Sequence, residues 1–74
     1  EQKLIIDIDG PEGNVFFLIG VAKKLADRLG LEGAKIVTDM QTSDYAHALR
    51  VFNKKFGEYV ELKTEYEYNL DEVK

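Results

Sequence analysis

The hydrophobic pattern of this chain changes its period twice, and this change limits the folds that the chain can adopt. Apolar and polar residues alternate near the start, follow helical spacing through the middle, and alternate again from Tyr59 onward. The first alternating run, residues 3–9, predicts a strand that places Leu4, Ile6 and Ile8 on one face. We therefore expect a strand at each end of a helical region.

The middle of the chain predicts three helices, because apolar residues recur there at i, i+3, i+4 and i+7. Pro11 and Asn14 are both suited to the start of the first helix, and the choice between them stays open. Gly30 and Gly57 are suited to helix ends, since glycine adopts positive φ without a steric penalty. The predicted helices cover residues 14–29, 33–41 and 44–56.

The second alternating run, residues 60–70, is longer than the first. The element order β-α-α-α-β predicts one small α+β domain over residues 1–74, with helices covering one face of a two-stranded antiparallel sheet. We expect antiparallel strands on the view that an odd number of helical segments returns the chain in the opposite direction. A longer second strand would leave unpaired backbone groups that can recruit another chain.

Length and composition restrict the kinds of site that the chain can carry. A domain of 74 residues usually needs a disulfide, a metal or a partner subunit. The chain has no cysteine and a single histidine, which excludes disulfides and a Cys/His zinc site and favours a homo-oligomer. Its longest apolar run is too short to span a membrane. These features predict a cytoplasmic protein with no membrane partner.

The net charge of −4 comes from the C-terminal part of the chain. Residues 1–57 carry eight acidic and eight basic side chains, whereas the last seventeen residues carry six acidic side chains and two lysines. Nucleic-acid phosphates require clustered Lys and Arg. We therefore expect no nucleic-acid partner.

A polar loop between the first strand and the first helix is the first candidate site. Backbone amides at a helix N-terminus favour anions, whereas the carboxylates of this loop would repel phosphate unless a cation intervened. The loop is a candidate binding site for a small anionic ligand or Mg²⁺. In the alternative interpretation it is a structural turn, in which Asp9 or Asn14 caps the helix. The candidate residues are Asp7, Asp9, Gly10, Glu12, Gly13 and Asn14.

The run Leu4-Ile5-Ile6-Asp7-Ile8-Asp9-Gly10 resembles the first motif of the haloacid dehalogenase superfamily, in which a hydrophobic strand ends in Asp-x-Asp-Gly. The resemblance implies that Asp7 is a phosphoryl-accepting nucleophile, that Asp9 is a general acid/base, and that both lie near Mg²⁺. Pro11 stands where that family usually has Thr or Val. The family's other motifs would each need a strand of their own, whereas only one further strand is predicted, and it carries no acidic pair at a strand end. We assign no catalytic residue, no metal ligand and no obligatory cofactor, and we favour a non-enzymatic protein.

Most of the chain also resembles small uncharacterised proteins of phages and prophages. The matching pieces are the loop at residues 7–14, the apolar helix after it, Thr42-Ser43-Asp44-Tyr45 and Phe56-Gly57-Glu58-Tyr59-Val60. This resemblance implies an accessory role or a role directed at a host protein.

Two sets of apolar residues are candidate interfaces. Phe16, Phe17 and Val21 lie off the main helical stripe, so the first two turns of the first helix are apolar nearly all round. Tyr66 and Tyr68 lie on the predicted overhang of the second strand. The leading hypothesis is a non-enzymatic, self-associating interaction module, and a ligand or Mg²⁺-dependent phosphate site in the loop is the alternative.

Overall fold

The computed structural model describes residues 3–66, which form two strands and three helices. Within these residues, no helix is both long enough and apolar enough to cross a bilayer. The number and order of the helices and strands are as predicted. The elements are β1 (Leu4–Asp7), a 3-10 turn (Pro11–Gly13), α1 (Val15–Leu29), α2 (Gly33–Met40), α3 (Tyr45–Phe56) and β2 (Val60–Lys63).

The two strands run parallel, so the predicted antiparallel sheet is wrong. Leu4 lies beside Val60, and Asp7 lies beside Lys63. If each segment reverses the chain direction, three helices bring the chain back in its original direction, just as the single helix of a βαβ unit does. An odd number of reversing segments therefore gives parallel strands rather than the antiparallel strands that were expected. Parallel strands also need a long connection, and the three helices provide it.

Local capping residues determine where the helices begin and end. The Asn14 side chain caps α1 by accepting the backbone N–H of Phe16 at 2.7 Å. Asp44 caps α3 in the same way. Gly30 follows α1 in the left-handed conformation, with φ of 73°. Pro11 begins the 3-10 turn that precedes α1, so both candidate start residues are used, and the α-helix itself starts after Asn14.

Gly57 follows α3 for a different reason from the one predicted. Its φ is −61°, so it does not use the positive φ that glycine permits. A Cβ at this position would lie 2.5 Å from the carbonyl oxygen of Asn53. Close approach of the backbone, rather than backbone conformation, therefore favours glycine there.

The helices cover one face of the sheet and enclose one apolar core. The rings of Phe52 and Phe56 lie 5.2 Å apart in a tilted arrangement, and both side chains are fully buried. Every buried side chain among residues 3–66 is apolar. The buried residues are Ile6, Ile8, Leu18, Ile19, Ala22, Ala26, Ile36, Met40, Ala48, Leu49, Phe52, Phe56, Val60 and Leu62.

Both strands are shorter than the alternating patterns predict. Each has four residues, and the chain leaves β2 after Lys63 and bends at Glu65 and Tyr66. Within the described residues the second strand therefore does not extend beyond the first, and the predicted overhang is not found there. Residues 67–74, which include Tyr68, lie outside the described part of the chain.

Candidate functional site

The parallel pairing places the carboxyl ends of both strands at the same edge of the sheet, where the candidate loop begins. Open α/β sheets bind ligands at this edge. The register brings Asp7, at the end of β1, beside Lys63, at the end of β2. A shallow pocket of about 280 Å³ at this edge is lined by Asp7, Asp9, Lys63, Thr64, Glu65 and Tyr66.

The Asp9 carboxylate joins the two strand ends. One oxygen accepts the hydroxyl of Thr64 at 2.7 Å, and the other accepts the backbone N–H of Glu65 at 2.8 Å. The Thr64 hydroxyl in turn accepts the backbone N–H of Tyr66 at 3.0 Å. Both oxygens of Asp9 are therefore used in bonds within the chain. Asp9 does not cap α1, and its carboxylate instead holds the two strand ends together.

The rest of the loop also bonds to itself. The Asp7 carboxylate accepts the backbone N–H of Asp9 at 3.1 Å. The N–H of Gly10 donates to the carbonyl of Asp7 at 3.3 Å, and the N–H of Gly13 donates to the carbonyl of Gly10 at 3.0 Å. The glycine amides that were candidate donors to an anion are thus directed at carbonyl groups of the loop. This geometry supports the structural interpretation of the turn.

Gly13 is held between the end of β1 and the start of α3. The hydroxyl of Tyr45 donates to the carbonyl of Gly13. A Cβ at Gly13 would lie 1.8 Å from the carbonyl oxygen of Ile8, far inside van der Waals contact. Glycine is therefore required at this position by the close passage of the chain against its own backbone, and not by the approach of a ligand.

The carboxylates of the loop are the residues that a magnesium ion would use. Mg²⁺ requires several oxygen ligands around one octahedral position. Both oxygens of Asp9 already accept hydrogen bonds, and the exposed carboxylates of Asp7 and Glu12 remain. Across residues 3–66, no group of three or more acidic or histidine side chains is placed to hold a metal ion.

Three residues at the carboxyl ends of the strands were not among the expected site residues. They are Lys63, Thr64 and Glu65. The alternating pattern predicts an uninterrupted strand through them, which hides the bend that follows Lys63. The signal that identifies them is the parallel register, because the residues that follow two paired parallel strands must lie side by side. An antiparallel pair would place them at the opposite end of the sheet from Asp9.

A second polar cluster fixes the turn between α2 and α3. The Nε2 atom of His47 lies 3.0 Å from the carbonyl oxygen of Asp39, 3.3 Å from its carboxylate and 3.1 Å from the Thr42 hydroxyl. That hydroxyl donates to the carbonyl of Asp39 at 2.8 Å. These contacts tie the start of α3 to the end of α2, which is a structural role for the single histidine.

The predicted interface residues differ in their exposure. Phe16 is 74% exposed at the start of α1, and Phe17 is 41% exposed. Val21 is half-buried and packs against the core. Tyr66 is exposed, and Tyr68 lies outside the described residues. Phe16 and Phe17 thus retain the exposure that an interface on α1 needs, whereas Val21 contributes to the core.

β1 presents two further exposed apolar side chains. Leu4 is 55% exposed and Ile5 is 57% exposed. The alternating pattern predicts that Leu4 and Ile6 both face the core. Of these two side chains, only Ile6 is buried. The start of β1 therefore extends beyond the cover that the helices provide.

Replacing Asp9 with alanine tests its role in joining the strand ends. Asp9→Ala removes the acceptor of two hydrogen bonds, and we expect the free energy of unfolding to fall by about 1–2 kcal/mol. Urea denaturation followed by circular dichroism measures this loss. The matched control is Glu12→Ala, a nearby exposed carboxylate whose removal should change stability by less than about 0.5 kcal/mol. Equal losses in the two variants would contradict the role given to Asp9.

Comparison of the chain with protein-family models, with curated proteins and with solved structures gives no match. The resemblances to the first haloacid dehalogenase motif and to phage and prophage proteins therefore stay predictions. Function has to be inferred from the residues of this chain and their arrangement.

Proposed function

We propose that this protein is a non-enzymatic interaction module that associates with itself. The observation that carries the proposal is the exposure of large apolar side chains in so small a domain. Phe16 is 74% exposed on α1, and Leu4 and Ile5 are 55% and 57% exposed on β1. Burying such a side chain completely is worth about 1.5–3 kcal/mol, which association would provide.

The polar groups of the loop support the same proposal. An enzymatic site needs a nucleophile or base, a group that orients it, and space for a reacting atom beside both. Here the Asp9 carboxylate bonds to Thr64 and Glu65, and Asn14 caps α1. These polar groups are used to hold the fold together rather than left facing a substrate.

The size of the domain is a further reason to expect association. A domain of 74 residues buries only about 60% of the surface that its unfolded chain exposes, and such domains are marginally stable. A partner that binds only the folded chain adds stability by mass action. A second copy is always available to supply it, and a host protein is the other partner class that the exposed residues would suit.

Sedimentation equilibrium tests the proposal directly. We expect the mass of the wild-type protein to exceed the 8.4 kDa monomer at micromolar concentration. We also expect the urea midpoint of unfolding to rise with protein concentration. A mass of 8.4 kDa at all concentrations would contradict self-association.

A thermal denaturation series with Mg²⁺ separates this proposal from the ligand-site alternative. A pure interaction module should show the same melting temperature with and without millimolar Mg²⁺. A rise in melting temperature that disappears in Asp7→Asn would instead support a cation site in the loop.

A further inference from the structure

Among residues 3–66, no strand pairs with the edge of β1 that faces away from β2. The backbone N–H of Leu4 donates to the carbonyl of Tyr59, just before β2, and the N–H of Ile8 donates to the carbonyl of Lys63 at the end of β2. The backbone groups of the alternate residues, Lys3, Ile5 and Asp7, therefore point to the opposite edge. Among the described elements, only β2 and the 3-10 turn contact β1. Within residues 3–66 no other strand or α-helix lies against this edge, and at its end the Asp7 carbonyl accepts the N–H of Gly10 at 3.3 Å.

An open edge of this kind readily accepts another strand. Unpaired N–H and C=O groups are a template for pairing with a second chain, and proteins often use such edges for recognition. The side chains here are accessible as well as the backbone, since Lys3, Leu4, Ile5 and Asp7 are all exposed. Charged residues usually protect such an edge, so the placement of Lys3 and Asp7 decides which strand can pair.

The edge is complementary to itself. Residues 3–7 read Lys-Leu-Ile-Ile-Asp, with opposite charges two positions on either side of Ile5. Two copies paired antiparallel about Ile5 place Lys3 of each beside Asp7 of the other. Opposite charges directly across a strand pair stabilise it, whereas like charges destabilise it. A parallel pair in the same register would instead place Lys3 beside Lys3 and Asp7 beside Asp7.

The same pairing accounts for the exposed apolar residues of β1. On the outer face, Ile5 lies beside Ile5 of the second copy. On the helix-covered face, Leu4 lies beside Ile6 of the second copy, which extends the core across the new strand pair. Leu4 and Ile5 are 55% and 57% exposed in the single chain, so both have surface to bury.

We propose that a second copy of this chain adds its β1 antiparallel to β1, centred on Ile5, to form a continuous four-stranded sheet in the order β2-β1-β1-β2. The contact uses the same residues on both copies, so it closes at a symmetric dimer. This inference rests on the proposed self-association and names the surface that produces it.

Exchanging the charges of Lys3 and Asp7, at the two ends of the paired run, tests the register of the two β1 strands. Lys3→Glu alone and Asp7→Lys alone each place like charges at both ends of the pair. Because Asp7→Lys also lies beside Lys63 in its own sheet, circular dichroism first checks that this variant keeps its fold. We expect each to raise the dimer dissociation constant about three- to tenfold by sedimentation equilibrium. An equimolar mixture of the two variants restores opposite charges at both ends, as does the double variant Lys3→Glu/Asp7→Lys. Both should associate as strongly as the wild type, and failure of both to do so would overturn the register.

Ile5→Lys gives a second test that does not depend on the strand ends. It places two like charges face to face at the symmetry axis, while in its own sheet the new lysine lies beside Glu61 and the chain should keep its fold. We expect this variant to be monomeric at concentrations where the wild type is a dimer. Leu31→Lys is the matched control, because it places the same new charge on an apolar side chain that is 44% exposed between α1 and α2, and it should leave the dimer in place.

Amide hydrogen exchange supplies a readout on the backbone itself. In the wild type, exchange of the amide of residue 5 should slow as the protein concentration rises. In Ile5→Lys, exchange of the amide at the same position should not depend on concentration. The outcomes separate the two proposals. A wild type that stays monomeric overturns both, whereas wild-type association that survives Ile5→Lys overturns only the pairing of β1 and leaves self-association intact.

Discussion

Gly13→Ala should destabilise the protein more than any other single methyl group added to the loop, with an expected loss of about 3 kcal/mol or more. The added Cβ would lie 1.8 Å from the carbonyl oxygen of Ile8 and 2.6 Å from its carbonyl carbon. Both are backbone atoms at the end of β1, so no flexible side chain can move aside. The loop would have to shift and lose the hydrogen bond from Tyr45 to the Gly13 carbonyl.

A loss of this size is a large fraction of the stability of such a domain. Folded proteins have about 0.05–0.15 kcal/mol of stability per residue. Urea denaturation followed by circular dichroism measures the change, with partial unfolding expected in the absence of urea. The matched control is Gly20→Ala in α1, where an added Cβ meets no atom within 4 Å. It should stabilise the helix by about 0.5–1 kcal/mol.

The two alanine variants are expected to move in opposite directions. The same residue exchange is made in both, so composition and the effect of glycine on the unfolded chain are matched. A Gly13→Ala protein as stable as the wild type would contradict the close passage of the loop against Ile8.

Phe52→Ala is expected to cost about 3–5 kcal/mol, because it removes a fully buried ring and leaves a cavity. Phe52 has no exposed surface, and its ring packs against Phe56 with the centroids 5.2 Å apart. Thermal and urea denaturation measure the loss. The matched control is Phe16→Ala, which truncates a side chain that is 74% exposed and should cost less than about 0.5 kcal/mol in the monomer.

Protein concentration has to be kept low in this comparison. Self-association stabilises the folded chain by mass action, so a weakened interface would appear as lost stability at high concentration. At concentrations below dimer formation, equal losses in Phe52→Ala and Phe16→Ala would contradict the assignment of the core. A large gap between them supports it.

The helices could be predicted closely from the sequence because their signals are local. Asn14 and Asp44 cap α1 and α3, and Gly30 ends α1 with positive φ. Each of these effects acts within a few residues of the chain. The apolar spacing also predicted that each helix has an apolar face, and the buried face of α3 includes Phe52 and Phe56. Helices can be predicted from apolar spacing and capping residues because a helix forms its backbone hydrogen bonds within one segment of the chain.

The loop residues could be located from the sequence, but their roles could not. Asn14 acts as one of the two predicted caps. Asp9 instead bonds to Thr64 and Glu65, which lie more than fifty residues further along the chain. Gly13 is required by its contact with Ile8. The partners of Asp9 become visible only when the strands are placed side by side, and the contact of Gly13 becomes visible only when the turn before α1 is folded.

By itself the sequence determined the order of strands and helices, where the helices end, and which helix faces are apolar, but not the strand lengths or the exposure of Leu4. Periodicity and capping chemistry are properties of short segments, and they act wherever those segments lie. Only the tertiary structure decided that the strands run parallel, that Asp9 joins their ends, and that within residues 3–66 no strand pairs with the outer edge of β1 and its Lys-Leu-Ile-Ile-Asp run. These features depend on contacts between residues far apart in the chain, which no local pattern encodes.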